Sequence, residues 1–299
     1  MDTTFFKGII VPILTPVTND EKIDEPRLRN QIDFVIAGGV SGILLFGSNG
    51  EFYVMEEDEI LKTLRITIDQ TAMRVPIYLG IGEIRTSKCI RLAQRAREAG
   101  VAGISILQPM FLKPSHEELC AYFTAIAESV PDLPVLLYNN PGRTGYGISQ
   151  ECVEYLAHNQ SNIVGMKDSS GNLTETIEFI RRNRDVNFKV MCGKDTLIYA
   201  GLSVGCVGAV CCTANFLPEL VCSIYDKFEN GDSKCALEKQ WELNPIRLQM
   251  DKSSFPVATK DYANLLGLDI GNPILPCLPS TQDQLEGLRS QLVQSGYLK

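Results

Sequence analysis

The chain has 299 residues and a formal net charge of −8, and 44% of its residues are hydrophobic while 21% are charged. This composition is typical of a globular protein and excludes the disordered, fibrous and membrane-embedded classes. The acidic balance also argues against nucleic acid as a partner, because contact with a phosphate backbone requires a basic surface.

The opening segment MDTTFFKGIIVPILTP contains one short apolar run, which Pro12 and Pro16 interrupt. An acidic residue precedes the first basic one and no small-residue cleavage site follows, so we expect neither a signal peptide nor a membrane span. We therefore expect a cytoplasmic protein.

The ten cysteines lie scattered in apolar runs, and the only histidines are His116 and His158. No CxxC motif or Cys/His group with metal-ligand spacing is present, so we expect no metal site. Free, buried thiols in a reducing compartment are the expected state.

Short apolar segments alternate with amphipathic ones over residues 1–230. Segments such as Pro134–Tyr138 are continuously apolar, which indicates parallel strands covered on both faces. The predicted strands are 8–14, 40–46, 75–80, 102–107, 133–138, 162–166, 188–192 and 207–212. The predicted helices are 24–37, 56–72, 86–99, 115–130, 149–159, 173–184, 195–204 and 215–230.

Three segments resemble one another: AGGVSGILLF at 37–46, EAGVAGISIL at 98–107 and LSVGCVGAVC at 202–211. Each predicts a helix end at a glycine followed by a short strand, and such repetition indicates a repeated unit. Strand–helix units in this number predict an α/β fold, a (β/α)8 TIM barrel over 1–230. A doubly wound sheet is the alternative, but no GxGxxG motif follows the first strand.

The tail predicts two or three further helices, one of them near 260–268. No linker separates it from the barrel. We therefore expect residues 231–299 to form a C-terminal helical extension packed on the same domain.

Barrel enzymes carry their reactive groups at the C-terminal ends of the strands. There the sequence places three ionisable residues, Tyr138, Arg143 and Lys167. Lys167 ends the apolar segment IVGMK, where an unpaired ammonium is costly to bury. A neutral amine in this position can attack a ketone and form a Schiff base, but a structural ion pair with Asp168 explains the pattern equally well.

Tyr138 alone is better explained by core packing than by proton transfer. Both histidines lie away from the strand ends, however, so acid–base chemistry there must use tyrosine, lysine or a carboxylate. Arg143, in the loop PGRTG, either binds a carboxylate with its forked guanidinium or stays solvated. Asp195 is predicted to be a helix N-cap.

The turn GSNGE at 47–51 places Ser48 and Asn49 between two glycines. Glycine lets backbone amides turn towards a ligand, so this turn suits a small anion-binding nest. An ordinary turn is at least as good an explanation from this motif alone.

The sequence as a whole resembles the dihydrodipicolinate synthase / N-acetylneuraminate lyase family of Schiff-base class I aldolases. The matching motifs are GIIVPILTP, GSNGEF, LYNNPGRTG, GMKDSSGN, GAVCCTAN and FPVATKDYANLLGL. The resemblance implies a barrel, usually tetrameric, that binds pyruvate or another 2-oxo acid as an imine without metal or organic cofactor. We therefore expect a small-molecule 2-oxo acid as partner and a homo-oligomer, either a tetramer or a dimer.

The resemblance also implies roles for particular residues. Lys167 matches the imine-forming lysine and Tyr138 the proton shuttle. Ser48 and Asn49 occupy the pair that holds the carboxylate of the 2-oxo acid, and the hydroxyl of Ser48 keeps the proton relay.

Other matched positions concern the second substrate. Arg143 matches an arginine that holds the carboxylate of that substrate in the synthase branch, and Val210 matches a residue whose backbone carbonyl faces the pyruvate pocket. Met110 and Phe111 stand where the synthase branch has a tyrosine pair. Because Phe111 cannot pass a proton, the relay of that branch would be cut short here or completed by water.

Our leading interpretation is therefore a Schiff-base lyase or aldolase that acts on a 2-oxo acid by cleavage, condensation, dehydration or deamination. The alternative within the same chemistry is 4-hydroxy-tetrahydrodipicolinate synthase, which condenses pyruvate with aspartate semialdehyde. A third hypothesis is a non-catalytic barrel that binds a small acid.

Overall fold

Eight parallel strands close into a barrel in chain order. The computed structural model describes residues 1–299. The strands are β1 (Gly8–Pro12), β2 (Gly42–Leu45), β3 (Ile77–Ile81), β4 (Gly103–Leu107), β5 (Val135–Asn139), β6 (Ile163–Asp168), β7 (Lys189–Cys192) and β8 (Gly208–Val210). Each predicted strand overlaps its observed counterpart, and the predicted TIM barrel is confirmed.

Helices surround the barrel and continue beyond it. They are α1 (Glu25–Ala37), α2 (Glu57–Thr71), α3 (Thr86–Glu98), α4 (His116–Glu128), α5 (Pro141–Thr144), α6 (Gln150–Asn159), α7 (Leu173–Arg182), α8 (Ile198–Ser203), α9 (Pro218–Glu229), α10 (Ser233–Gln249), α11 (Val257–Leu265) and α12 (Gln282–Gln294). The short helix α5, inside the loop after β5, is not predicted by the sequence. None of these helices has both the length and the apolar character needed to cross a membrane.

Side-chain caps fix where several of these helices begin. The Ser115 hydroxyl accepts a hydrogen bond from the Glu118 amide, and the Glu118 carboxylate accepts one from the Ser115 amide. Ser149 caps α6 by accepting from the Cys152 amide. Since α4 and α6 follow β4 and β5, both caps lie at the C-terminal face of the barrel.

Side chains alternate between the barrel interior and the layer between strands and helices. Each strand except β4 contributes one apolar residue to a small interior cluster, and the outward residues belong to a larger core cluster. The interior cluster comprises Phe6, Ile10, Leu44, Tyr78, Leu136, Val164, Met191 and Val210.

A register shift in β6 breaks this alternation just before Lys167. Val135 pairs with Ile163, but Leu136 pairs with Gly165, so Val164 is an extra residue. A strand without this bulge would place Val164 and the residue at 166 on the inner face and Lys167 outside. The bulge instead brings Lys167 into register with the inward-facing Tyr138.

Gly165 makes the bulge possible, and we expect Gly165→Ala to destabilise the barrel. An added Cβ would lie 2.4 Å from the Lys189 carbonyl oxygen and 2.8 Å from Phe6 Cε1. Overpacking of a core commonly costs about 1–3 kcal/mol, and thermal unfolding measures the loss. Gly142→Ala is the matched control, because the nearest atom to its added Cβ lies at 3.8 Å. An unchanged melting temperature for Gly165→Ala would contradict this account of the bulge.

The segment after α9 reaches back to the mouth of the barrel. Lys260 of α11 forms an ion pair with Glu51 at 2.5 Å, and both side chains are fully buried. Thr259 donates a hydrogen bond to the side-chain oxygen of Asn49 at 3.1 Å. Residues far apart in sequence therefore fix the turn that follows β2.

Candidate active site

A cavity of about 100 Å³ opens at the C-terminal end of the barrel. Its floor is the apolar interior, and its walls come from the ends of β1, β2, β5, β6, β7 and β8 and from the C-terminal extension. The fold brings all six residues that the sequence analysis proposed for the site to this one cavity: Ser48, Asn49, Tyr138, Arg143, Lys167 and Val210.

Lys167 is buried at the bottom of the cavity, with 5% of its surface exposed. Its Nζ atom lies 4.3 Å from the centroid of the Tyr138 ring, and it takes part in none of the ion pairs of the protein. Asp168 accepts hydrogen bonds from Asn139, Ser170 and Thr176 instead. The alternative in which Asp168 pairs with Lys167 is therefore wrong, because the carboxylate points out of the barrel to polar partners of its own.

The Tyr138 hydroxyl has two hydrogen-bond partners beside Lys167. It lies 3.3 Å from the Ser48 hydroxyl and accepts a hydrogen bond from the side-chain amide of Asn140 at 2.8 Å. Burial alone raises the pKa of Tyr138, but the Lys167 ammonium and the hydrogen bonds from Ser48 and Asn140 outweigh it and lower this pKa below its ordinary value. The site thus favours a phenol that can give up its proton.

The GSNGE turn forms a single 3₁₀ turn over Ser48–Gly50. The backbone amides of Ser48 and Asn49 donate to no protein acceptor, whereas those of Gly50 and Glu51 close the turn. Unpaired amides of this kind are the donors of an anion nest. The arrangement can therefore accept a small carboxylate.

Cationic side chains dominate the rim of the cavity. Arg143 stacks on the Phe255 ring, 4.4 Å from its centroid, and Lys194 and Arg247 also line the cavity. Asp195 is the only carboxylate in the lining. The cavity therefore carries a net positive charge in a protein that is acidic overall.

Asp195 is not the helix N-cap that the sequence predicts. Its carboxylate accepts hydrogen bonds from the amide and hydroxyl of Thr213, at 2.7 and 2.6 Å, and from the Cys212 thiol at 3.3 Å. The 3₁₀ turn Asp195–Leu197 starts at Asp195 itself, so the cap position falls on Lys194. Asp195 instead ties the end of β7 to the segment after β8.

Asn140, Lys194, Arg247 and Phe255 are among the lining residues that the sequence analysis did not propose for the site. Asn140 follows Tyr138 in the motif LYNNPG, which is the one local signal that could have revealed it. Arg247 and Phe255 belong to the C-terminal extension, which offers no such signal. Phe111 lies outside the cavity with its side chain fully exposed, at a φ of 72°.

The lining holds only one carboxylate and one thiol, those of Asp195 and Cys212, which are fewer than the three or four protein ligands of a typical zinc site. Away from the cavity, however, His116, Cys120 and Cys152 place their ligand atoms within 4.8 Å of one another. The sequence spacing did not anticipate this cluster, since Cys152 reaches it from a different helix. All ten cysteines are free, and eight of them are buried.

Comparison with known proteins gives concordant matches. The family model described as the dihydrodipicolinate synthetase family matches residues 5–295. The 4-hydroxy-tetrahydrodipicolinate synthase of Methanococcoides burtonii is 32% identical over 98% of this chain and 100% of its own length, and that of Trichlorobacter lovleyi is 34% identical over 96% and 98%. The crystal structure of YagE, a prophage protein of the dihydrodipicolinic acid synthase family from E. coli K12 in complex with pyruvate, is 31% identical, with a TM-score of 0.93 over 98% of this chain and 99% of that one.

Proposed function

Because the chain belongs to the dihydrodipicolinate synthetase family and is thus a lyase of the class I aldolase type, we propose that Lys167 forms an imine with pyruvate or another 2-oxo acid. One observation carries this proposal above the rest: a buried lysine without an acidic partner lies over the ring of Tyr138 in an open cavity. A cation kept in such a place costs stability, which is typical of a working site.

The chemistry begins with attack of the neutral Lys167 amine on the ketone carbon. A carbon–nitrogen bond forms, and the ketone oxygen takes up one proton to give the carbinolamine and a second one before it leaves as water, so that the iminium remains. Tyr138 gives the first proton, recovers one from the amine and then gives the second, which leaves its phenolate beside the iminium; the Ser48 hydroxyl is the next group in this proton relay. The iminium then accepts the electron pair released when a bond to the neighbouring carbon breaks, or supports the reverse condensation.

The carboxylate of the 2-oxo acid is held by the turn after β2. The free amides of Ser48 and Asn49 supply the donors, and the bond from Thr259 fixes the Asn49 side chain. Val210, at the end of β8, also lines the cavity, and its backbone carbonyl would face the bound 2-oxo acid, as the resemblance to the family implies. This arrangement would leave the ketone carbon next to Lys167.

Arg143 would hold a second anionic group at the far end of the substrate, with Lys194 and Arg247 nearby. We therefore expect Arg143→Ala to reduce kcat/KM for a 2-oxo acid with a distal carboxylate by about 10–100-fold, as loss of a charge-assisted hydrogen bond of about 1.5–3 kcal/mol implies. Imine formation with pyruvate, which lacks that group, should change little. Steady-state kinetics and borohydride trapping compare the two.

Phe255→Leu is the control for Arg143→Ala, since it removes the aromatic ring under the guanidinium but keeps the charge. It should cost much less than the loss of the arginine. Equal losses for pyruvate and the dicarboxylic substrate in Arg143→Ala would show that Arg143 does not act on the distal group.

The alternative, 4-hydroxy-tetrahydrodipicolinate synthase activity, is favoured by Arg143 and by the names of the curated relatives. Phe111 speaks against it, because it has no hydroxyl and lies exposed outside the cavity. Consumption of aspartate semialdehyde in the presence of pyruvate distinguishes this activity from our leading proposal.

Trapping of the imine tests the proposal itself. The protein is incubated with pyruvate and reduced with borohydride, and its intact mass is measured by mass spectrometry. One adduct per chain, located on the peptide with Lys167, is the expected result. No adduct with any short 2-oxo acid would reject the proposal and favour a barrel that only binds a small acid.

A further inference from the structure

His116, Cys120 and Cys152 form a compact cluster on the outside of the barrel. His116 and Cys120 lie one turn apart on the same face of α4. Cys152 lies in the first turn of α6, which packs against α4. The Cys120 and Cys152 sulfurs are 2.9 Å apart, and the Cys120 sulfur is 3.8 Å from Nε2 of His116.

These distances are close to those of a tetrahedral metal site. With Zn–S near 2.3 Å and Zn–N near 2.0 Å, tetrahedral geometry separates two sulfurs by roughly 3.8 Å and a sulfur from a nitrogen by roughly 3.5 Å. The imidazole already has the required separation from Cys120. The two sulfurs need to part by about 1 Å, which side-chain rotation can provide.

The surroundings supply the other features that a metal site needs. A cavity of about 400 Å³, lined by His116, Cys120 and Tyr155 among others, gives access from solvent. Nδ1 of His116 lies 3.5 Å from the Ser149 hydroxyl, so the ring nitrogen that faces away from the sulfurs has a partner. Glu117 lines the same cavity, and its carboxylate accepts from the Ser115 hydroxyl.

Packing of small apolar side chains explains buried cysteines elsewhere in this protein. It does not explain an exposed imidazole within reach of two sulfurs beside an open cavity. We propose that His116, Cys120 and Cys152 form a peripheral binding site for a thiophilic divalent cation, Zn²⁺ in the first place, with water as the fourth ligand. Thiolate and imidazole ligands select such an ion over Mg²⁺ or Ca²⁺, which prefer oxygen.

The site lies between the two helices that follow the loops after β4 and β5, so a bound ion would affect these loops. α4 follows the loop after β4, and α6 follows the loop after β5, which contains α5 and Arg143. A bound ion would link the first turns of α4 and α6, next to their caps Ser115 and Ser149. It would therefore fix the two loops at the catalytic face relative to one another.

Metal titration of the reduced full-length protein tests this proposal with Zn²⁺ and Co²⁺ as probes. We expect one ion per chain, a thiolate-to-cobalt charge-transfer absorption, and a melting temperature that rises with Zn²⁺ concentration. Binding of the ion should release two protons, one from each thiol. None of these readouts depends on enzymatic activity.

Variants identify the ligands. Cys120→Ser, Cys152→Ser and His116→Ala should each weaken Zn²⁺ binding at least tenfold and alter the cobalt spectrum. Cys222→Ser and His158→Ala, a buried thiol and the other histidine, should leave both unchanged. Less than stoichiometric uptake, or a cobalt spectrum that survives Cys152→Ser, would overturn the proposal. The proposal would also be overturned if Cys120 and Cys152 form a disulfide on oxidation but take up no metal when they are reduced.

Discussion

Lys167→Ala is expected to abolish covalent capture of pyruvate and to lower kcat/KM for the lyase reaction by on the order of 10⁴-fold or more, as removal of a catalytic nucleophile does in other enzymes. No second amine can take over, because Lys167 alone is held at the bottom of the cavity in register with Tyr138. Borohydride trapping with intact mass, together with steady-state kinetics, measures both effects.

Lys194→Ala is the matched control, since Lys194 lines the same cavity from the end of β7. It should keep the pyruvate adduct, although it can weaken binding of an anionic substrate. The melting temperature of Lys167→Ala should not fall, because the variant removes a buried cation without an ionic partner. An adduct that persists in Lys167→Ala would place the nucleophile elsewhere and refute the assignment.

Tyr138→Phe is expected to lower kcat/KM by about 10²–10⁴-fold, the range that positioned acid–base groups commonly contribute. The ring and its contact with Lys167 remain, so the loss reports the hydroxyl alone. Trapping of pyruvate should become slow but remain complete, because the nucleophile is intact. Quenching with borohydride at a series of times after mixing measures the rate of imine formation.

The pH profile gives a second readout for Tyr138. The neutral phenol is the proton donor, and the pKa of Tyr138 is below its ordinary value, so the donor is lost at a lower pH than for a free tyrosine. The wild-type rate should therefore fall on the alkaline side, and Tyr138→Phe should lose that limb. Tyr78→Phe is the control, since the Tyr78 hydroxyl lies in the barrel interior without a hydrogen-bond partner. A Tyr138→Phe profile with the same alkaline limb would assign the limb to another group.

Much of the candidate site could be predicted from short motifs. Lys167, Tyr138 and the Ser48–Asn49 turn each follow a predicted strand, and the strand ends of a parallel barrel meet at one face. That rule, with no knowledge of distances, is sufficient to place them at a common cavity. It fails for Arg247 and Phe255, because helices after the barrel follow no comparable rule of position.

The sequence by itself determined the barrel, the order of its elements and the strand ends that carry the reactive groups, because the hydrophobic pattern and the glycine-terminated helices are local signals. Only the tertiary structure decided which way Lys167 faces. Regular alternation from Val164 would have turned it out of the barrel, and the bulge next to Gly165 reverses this. The same holds for Asp195 and for the cluster of His116, Cys120 and Cys152, since contacts between distant segments depend on packing that no local pattern encodes.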